Sequence, residues 1–413
     1  MWSLLRQPNF RRFWSSQVLL ALGDGLMQMG ILKIILDHRY NAQVEIAKMS
    51  FAVALPGLVC GPLAMSHLGR WQRRRVLMLS DALRAVLVVL IGVWILPLLT
   101  GRVEQRDLLV VYWLIGAIGV IATFYLPARS ALIPNLVETD QLVPANTLFA
   151  ISFAIATVGG RVVGGAVAEK IGVPWTVALN VVTCLASVGL LWRIRMTPHA
   201  VSEPTGNSAT SVLREFRVAL IYLWEHPTAL PLVMLSGVFA FVLGILMVVF
   251  VGGYAKDVLH LGVSGIGYLV GAGGAGAAIG ILLLGRGRSW TKSPWLPVGL
   301  LLLAAGALLT LSGIANLWLV IPVVFVLGGV LATVLIAIDS RLQAQVEDVQ
   351  RSAVFAARGM LTSLTMIVAF WLQFGTEVFK RTSPPVVLWW LGIGTFAAAV
   401  LMLLALRTRA TSS

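Results

Sequence analysis

The feature that most constrains this chain is a succession of apolar segments, about twelve in all, each close to the ~20 residues that a helix needs to cross a bilayer. Such segments are expected to be helical because a helix satisfies its own backbone hydrogen bonds where water is absent. The predicted spans are Phe13–Leu36, Ile46–Leu68, Val76–Leu99, Leu108–Leu126, Ala145–Ala168, Trp175–Leu191, Ala229–Val251, Ile266–Leu284, Pro297–Ile314, Leu317–Ile338, Ala357–Phe374 and Val386–Leu406.

Composition agrees with a membrane protein. Hydrophobic residues make up 58% of the 413 residues and charged residues only 12%, whereas soluble domains carry about 25% charged residues. The net charge of +14 would favour nucleic acid in a soluble protein. Here the cations lie between apolar segments, so we expect them to meet membrane lipids at anionic headgroups, and we predict no nucleic-acid partner.

The distribution of cations also predicts an orientation. The dense basic turn that contains Arg70, Arg73, Arg74 and Arg75 follows the second span, and short loops rich in Lys and Arg stay on the cytoplasmic side. We therefore predict a protein of the cell (inner) membrane with both termini cytoplasmic. We also expect it to be a monomer.

An internal repeat predicts two related halves. One ungapped shift places Gly57 on Gly276, Gly61 on Gly280 and Trp71 on Trp290. The predicted fold is an all-α membrane protein with about twelve helices in two pseudo-symmetric six-helix bundles. Residues 1–193 would form the first bundle, 194–227 a cytoplasmic linker with an interfacial helix, and 228–413 the second bundle.

Asp24 is the residue most indicative of function. It lies in the middle of the first span, where a charge costs about 2.5 kcal/mol or more. Gln17 and Gln28 lie seven residues before it and four after it, so the three share one helix face. That face is expected to line a water-filled cavity, where Asp24 would bind and release a proton. The alternative is a structural carboxylate that hydrogen-bonds a neighbouring helix.

Two further cations lie within spans. Arg161 is flanked by Gly159, Gly160, Gly164 and Gly165, and such glycines allow a neighbouring backbone to approach closely. Its partner could be Asp24, or it could reach lipid headgroups. Lys33 lies four residues before Asp37 and is expected to pair with it at the membrane surface.

A set of charges near span ends could form gates or could only fix topology: Arg70, Arg73, Arg74, Arg84, Arg129, Asp339 and Arg341. Gly271–Gly276 matches a dinucleotide-binding glycine pattern, but that pattern needs a preceding strand. We interpret it as small-residue helix packing. The sequence contains no phosphate-binding loop or hydrolase motif and only scattered histidines. We therefore predict no metal, no cofactor and no enzyme activity.

Three stretches resemble the major facilitator superfamily: LGDGLMQMGI at 22–31, GPLAMSHLGRWQRRRVLMLSDALRAV at 61–86, and LPARSALIPNLVETDQLVPANTL at 126–148. The resemblance covers essentially the whole chain. Within the superfamily the chain is similar to the drug-efflux branch of macrolide and enterobactin exporters, and lysophospholipid transporters are near relatives with a similar Gly-Asp pair. The resemblance implies alternating access around a central cavity between two six-helix bundles, lined mainly by spans 1, 4, 7 and 10.

The chain departs from the family pattern at two places. Two acidic positions of the conserved loop after the second span are Gly69 and Gln72 here, so the usual gate network on that side lacks its acids. The antiporter pattern of the fifth span has Arg161 where the family has proline, which weakens the antiporter assignment.

The sequence therefore predicts a secondary transporter that exports an amphipathic or hydrophobic small molecule in exchange for protons. Asp24, Gln28, Gln17 and Arg161 would form the coupling and substrate site. The alternative is a lysophospholipid transporter that moves lipid across the inner membrane. A third hypothesis is a membrane-embedded binding protein that transports nothing.

Overall fold

A computed structural model describes residues 2–37, 41–68, 72–95, 105–138, 141–194, 221, 223–224, 229–286, 295–346, 348–376, 379 and 381–411. Twelve long α-helices account for most of these described residues, which include no β-strand. The helices are α1 Pro8–Asp37, α2 Ala42–Leu68, α3 Arg73–Ile95, α4 Gln105–Leu132, α5 Leu142–Lys170, α6 Val173–Trp192, α7 Leu230–Val248, α8 Val263–Arg286, α9 Leu296–Gly313, α10 Leu317–Gln345, α11 Asp348–Gly375 and α12 Pro384–Thr411.

These helices have the length and apolarity of membrane spans. Eleven candidate spans occur within the described residues, and the remaining helix α9 contains a shorter apolar stretch, Val298–Gly313. The helix α7 continues as a π-helix over Val249–Val258, which extends that span to 29 residues. The predicted all-helical membrane fold is confirmed, and the chain is a multi-pass membrane protein.

The chain divides into two compact units. Unit 1 contains residues 1–40 and 48–217, and unit 2 contains residues 41–47 and 218–413. The domain boundaries given from sequence, at 193/194 and 227/228, stay a prediction, and most of the linker and of its interfacial helix lies outside the described residues.

Three helix pairings recur in the two units. In unit 1, α1 packs on α5, and α3 packs on α4 and α6. In unit 2, α7 packs on α11, and α9 packs on α10 and α12. Each contact in unit 2 joins helices that lie six places further along the chain than those of unit 1, which is the arrangement that an internal repeat produces.

Glycines allow α1 to approach α5 closely and α8 to approach α10, as small residues do in membrane bundles. A Cβ atom on Gly25 of α1 would lie 2.7 Å from the backbone of Gly160 in α5, and one on Gly164 would lie 2.7 Å from Leu26. The prediction that Gly160 and Gly164 admit a neighbouring backbone is therefore confirmed. In unit 2, Gly273 and Gly276 of the dinucleotide-like pattern lie against α10, so helix packing explains that pattern.

Candidate functional site

The carboxylate of Asp24 forms an ion pair with Arg84 inside unit 1. Nη1 of Arg84 donates to Oδ2 of Asp24 at 2.9 Å and to Oδ1 at 3.2 Å. Arg84 is the middle residue of α3, which begins at Arg73 and ends at Ile95. The sequence-based expectation that Arg84 lies near the surface is therefore wrong: the pair joins the middles of two spans.

The two partners differ in their access to the surroundings. The Arg84 side chain is 8% exposed, whereas the Asp24 side chain is 42% exposed. Asp24 is therefore not sealed among the helices. Within the pair, the guanidinium of Arg84 is buried and the carboxylate of Asp24 is partly exposed.

The ring of Tyr125 in α4 contacts Arg84, and hydrogen bonds to Gln17 and Ser16 of α1 hold that ring in place. The guanidinium carbon lies 5.5 Å from the centroid of the Tyr125 ring, a distance at which a cation is attracted to the face of an aromatic ring. The Tyr125 hydroxyl donates to Oε1 of Gln17 at 2.8 Å, and Nε2 of Gln17 donates to Oγ of Ser16 at 3.2 Å. Gln17, predicted to share a face with Asp24, is thus a buried residue that positions Tyr125.

A second carboxylate lies beside this group. Asp81 precedes Arg84 by one helical turn on α3 and is fully buried. Its Oδ2 accepts a hydrogen bond of 2.6 Å from the Ser187 hydroxyl of α6, but its Oδ1 has no hydrogen-bond partner in the described structure. Nε of Arg84 is also buried without a partner. An acceptor and a donor therefore remain unused on neighbouring turns of α3.

Arg161 does not pair with Asp24, which corrects one of the two sequence alternatives. Its Nε donates to Oε1 of Gln28 at 3.0 Å. Gln28 lies one turn after Asp24 on α1, so the two polar contacts are neighbours on the same helix. The structure brings Asp24 and Gln28 together on α1 but joins them to cations of different helices, α3 and α5.

Several predicted charges have other partners. Lys33 pairs with Asp37 at 2.5 Å, as predicted. The guanidinium carbon of Arg129 lies 5.1 Å from the ring centroid of Phe153. Asp339, expected beside Arg341, forms its ion pair with Arg358 of α11.

The basic turn contributes helix-end contacts where it is described. Nη1 of Arg73 donates to Oδ1 of Asn135 at 3.3 Å, and Nη1 of Arg74 donates to the Ile194 carbonyl at 2.5 Å. The Ile194 carbonyl lies just beyond the C-terminus of α6, where a cation is favourable. Arg70 and Gly69 lie outside the described residues. A gating role of this group stays a prediction.

Arg341 lies at a cavity in unit 2. The cavity has a volume of about 290 Å³ and is lined by apolar side chains of α7, α9, α10 and α12 together with Arg341. Burial lowers the pKa of the Arg341 guanidinium from its ordinary value.

Uptake of one proton by the cluster of Asp24, Asp81 and Arg84 neutralises its net charge. It contains two carboxylates and one guanidinium, so a proton on either carboxylate leaves one compensated pair. An uncompensated charge is costly at membrane depth, which favours states in which the guanidinium keeps one carboxylate partner. Within the described residues, no group of His, Cys, Asp and Glu could hold a metal ion.

Sequence reasoning missed Tyr125, Asp81 and Ser187 as members of this cluster. The spacing of Asp81 and Arg84 was a usable signal, because residues three apart on a helix share a face. Tyr125 and Ser187 carried no such signal, since a single hydroxyl in an apolar span gives no indication of its partner on another helix.

Comparison with known proteins assigns this chain to a family. The sequence model described as "Major Facilitator Superfamily" matches residues 13–370. The uncharacterized MFS-type transporter YfiS of Bacillus subtilis is 23% identical over 371 residues, which are 88% of this chain and 85% of that protein. The lysophospholipid transporter LplT of Citrobacter koseri is 29% identical over 230 residues, which are 50% of this chain and 54% of LplT.

Solved structures show the same fold. A bacterial homologue of the iron transporter ferroportin in its inward-facing state has a TM-score of 0.74 at 15% identity, with 96% of this chain and 98% of that chain covered. The nucleoside transporter NupG has a TM-score of 0.72 at 11% identity, with coverages of 95% and 99%. At these identities the likeness concerns the fold alone.

Proposed function

This chain belongs to the major facilitator superfamily, and we propose that it is a proton-coupled antiporter that exports an amphipathic or hydrophobic small molecule by alternating access. The proposal includes the cell (inner) membrane as its location and cytoplasmic termini, because the predicted basic loops fall on the side of both termini. It also places the chain in the drug-efflux branch of the family, on the sequence stretches that resemble that branch.

The observation that carries the proposal is the ion pair inside unit 1, in which Arg84 is buried and Asp24 is partly exposed. A carboxylate at membrane depth is costly, and Asp24 is both paired with Arg84 and 42% exposed. A carboxylate that exchanges protons cannot be enclosed on all sides, and the Asp24 side chain is 42% exposed.

The mechanism follows from the unused atoms on α3. When Asp24 binds a proton, its attraction for Arg84 falls, and the guanidinium needs another anion. Asp81 offers its unpartnered Oδ1 one turn away, and Arg84 offers its unpartnered Nε. We propose that Arg84 turns from Asp24 to Asp81 on protonation. The proton on Asp24 and the substrate would then occupy the site alternately.

The test uses purified protein in proteoliposomes with ethidium as an amphipathic probe. A gradient of one pH unit supplies about 1.4 kcal/mol per proton, so exchange of one proton per ethidium would allow about tenfold accumulation. In Asp24→Asn the pH gradient should drive no accumulation. Exchange of labelled for unlabelled ethidium should persist, because Asn keeps an oxygen that can accept from Arg84.

Asp37→Asn is the matched control. Asp37 also lies on α1 and also pairs with a cation, Lys33, but it is the last residue of the helix. We expect wild-type accumulation in this variant. If Asp24→Asn accumulates ethidium as the wild type does, Asp24 is not the coupling carboxylate.

A second candidate function is lysophospholipid transport, which the similarity to LplT favours. The match to the Citrobacter koseri protein spans about half of each chain. The measurement is the flipping of lysophosphatidylethanolamine in the same vesicles. Flipping that is lost in Arg161→Ala, together with no movement of ethidium, would favour the lipid over the drug as substrate.

A further inference from the structure

The cavity of unit 2 has an almost wholly apolar lining with a cation at one end. Leu235 and Phe239 of α7, Leu308 of α9, Val334 of α10 and Trp390 of α12 are among its apolar walls. Among the described residues that line it, Arg341 is the one with a charge. The lining includes no residue of the cluster of Asp24, Asp81 and Arg84.

Arg341 lies at the level expected for headgroups. The apolar span of α10 ends at Asp339, and Arg341 follows two residues later. The same end of α10 packs with the start of α7, since Leu342 and Val233 belong to one buried cluster. The cavity therefore extends from the membrane surface, marked by Arg341, into the apolar interior of unit 2.

The cavity is accessible from the surface of the unit. Val238 and Trp390, which line it, are 57% and 62% exposed. Gly394, another lining residue, has no atom within 4 Å of the position of an added Cβ atom. At the depth of a membrane span the surrounding medium is hydrocarbon, so a chain can enter sideways between α7 and α12.

We propose that this cavity binds a single-chain anionic amphiphile, with its alkyl chain among the apolar walls and its phosphate or carboxylate on Arg341. An engineered cavity of about 150 Å³ lined by apolar side chains stays dry and holds benzene. A volume of about 290 Å³ therefore accommodates about twelve carbon atoms on the same scale. Arginine matches the fork geometry of phosphates and carboxylates, which gives the head its specificity.

The experiment is native mass spectrometry of the delipidated full chain in a neutral detergent. The probes are dodecanoyl lysophosphatidylglycerol, dodecanoate and uncharged dodecanoylglycerol. One anionic probe should remain bound, and the uncharged probe should bind at least tenfold more weakly. Arg341→Gln should weaken the anionic probe about ten- to hundredfold, as loss of a hydrogen bond to a charged group does, and Arg341→Lys should restore part of the affinity.

Two pairs of variants locate the binding site. Gly394→Phe fills the cavity and should abolish retention of the anionic probe, whereas Gly306→Phe, which also has open space around its Cβ position but does not line the cavity, should retain it. If Gly394→Phe fails to fold, Ala398→Phe replaces it with Ala397→Phe as the control, because only Ala398 lines the cavity. Equal retention of the uncharged probe, or retention in a folded cavity-filled variant, would overturn the proposal.

Discussion

The two partners of the Asp24–Arg84 pair should contribute unequally to stability. In Asp24→Ala a guanidinium that is 8% exposed loses its carboxylate. Breaking a buried pair in this way costs about 3–5 kcal/mol. We take the lower end, about 3 kcal/mol, because Asp81 lies one turn away and offers a free oxygen. In Arg84→Met the Asp24 carboxylate is 42% exposed and the buried Asp81 keeps its hydrogen bond from Ser187, so we expect about 1 kcal/mol.

A double variant tests whether the cost of Asp24→Ala comes from the unpaired guanidinium of Arg84. Asp24→Ala/Arg84→Met contains no orphaned ion from the pair, and replacement of a whole buried pair by apolar groups is often neutral. We expect its stability within about 1 kcal/mol of the wild type. Removal of a second residue would then restore most of the stability that the loss of Asp24 removed.

The assay is thermal unfolding of the purified protein in detergent. A domain of 150–250 residues shifts by about 2–4 °C per kcal/mol, so Asp24→Ala should melt about 6–12 °C lower and Arg84→Met about 2–4 °C lower. The double variant should melt above Asp24→Ala. Equal costs for the two single variants would refute the unequal contributions, and a double variant that shows their sum would mean that the ion pair does not stabilise unit 1.

Two more predictions concern α1 and α5. Gly25→Leu should lower the melting temperature by several degrees, at a cost of about 1–3 kcal/mol, because its Cβ atom would lie 2.7 Å from the backbone of α5; Gly57→Leu, whose Cβ position meets nothing within 4 Å, is the control and should melt as the wild type does. Arg161→Ala should raise the KM for substrate with little change in melting temperature, and Gln28→Ala should do the same, because the two side chains share one hydrogen bond. Failure of Arg161→Ala to accumulate in cells would instead make Arg161 a structural residue.

The sequence was sufficient to predict the helices because each span is long, apolar and separated from the next by polar residues. That pattern depends only on neighbours along the chain and on the thickness of a bilayer. The pairing of Lys33 with Asp37 was predictable for the same reason, since residues four apart on one helix are neighbours.

The partners of the mid-span charges were not predictable. The sequence suggested Arg161 as the partner of Asp24 and placed Arg84 near the surface, whereas the pairing with Arg84 depends on how α1 is rotated between α3 and α5. That rotation is set by contacts such as Gly25 against Gly160, which involve residues far apart in sequence. Asp339 shows the same limit, because its partner Arg358 lies on the next helix, whereas the sequence neighbour Arg341 lines a cavity.

The internal repeat shows that the two units share a glycine at a helix crossing, whereas the mid-span charges of the ion pair occur only in unit 1. The ungapped shift that aligns Gly57 with Gly276 also aligns Gly25 with Gly244, and Gly244 has the equivalent position against α11 that Gly25 has against α5. The same shift places Leu243 opposite Asp24 and Leu303 opposite Arg84. The two units therefore share the close helix crossing but not the ion pair. Since packing alone requires no charge at these positions, the charges of unit 1 are an addition to the common scaffold, and a specific function is the physical reason to retain them at their cost.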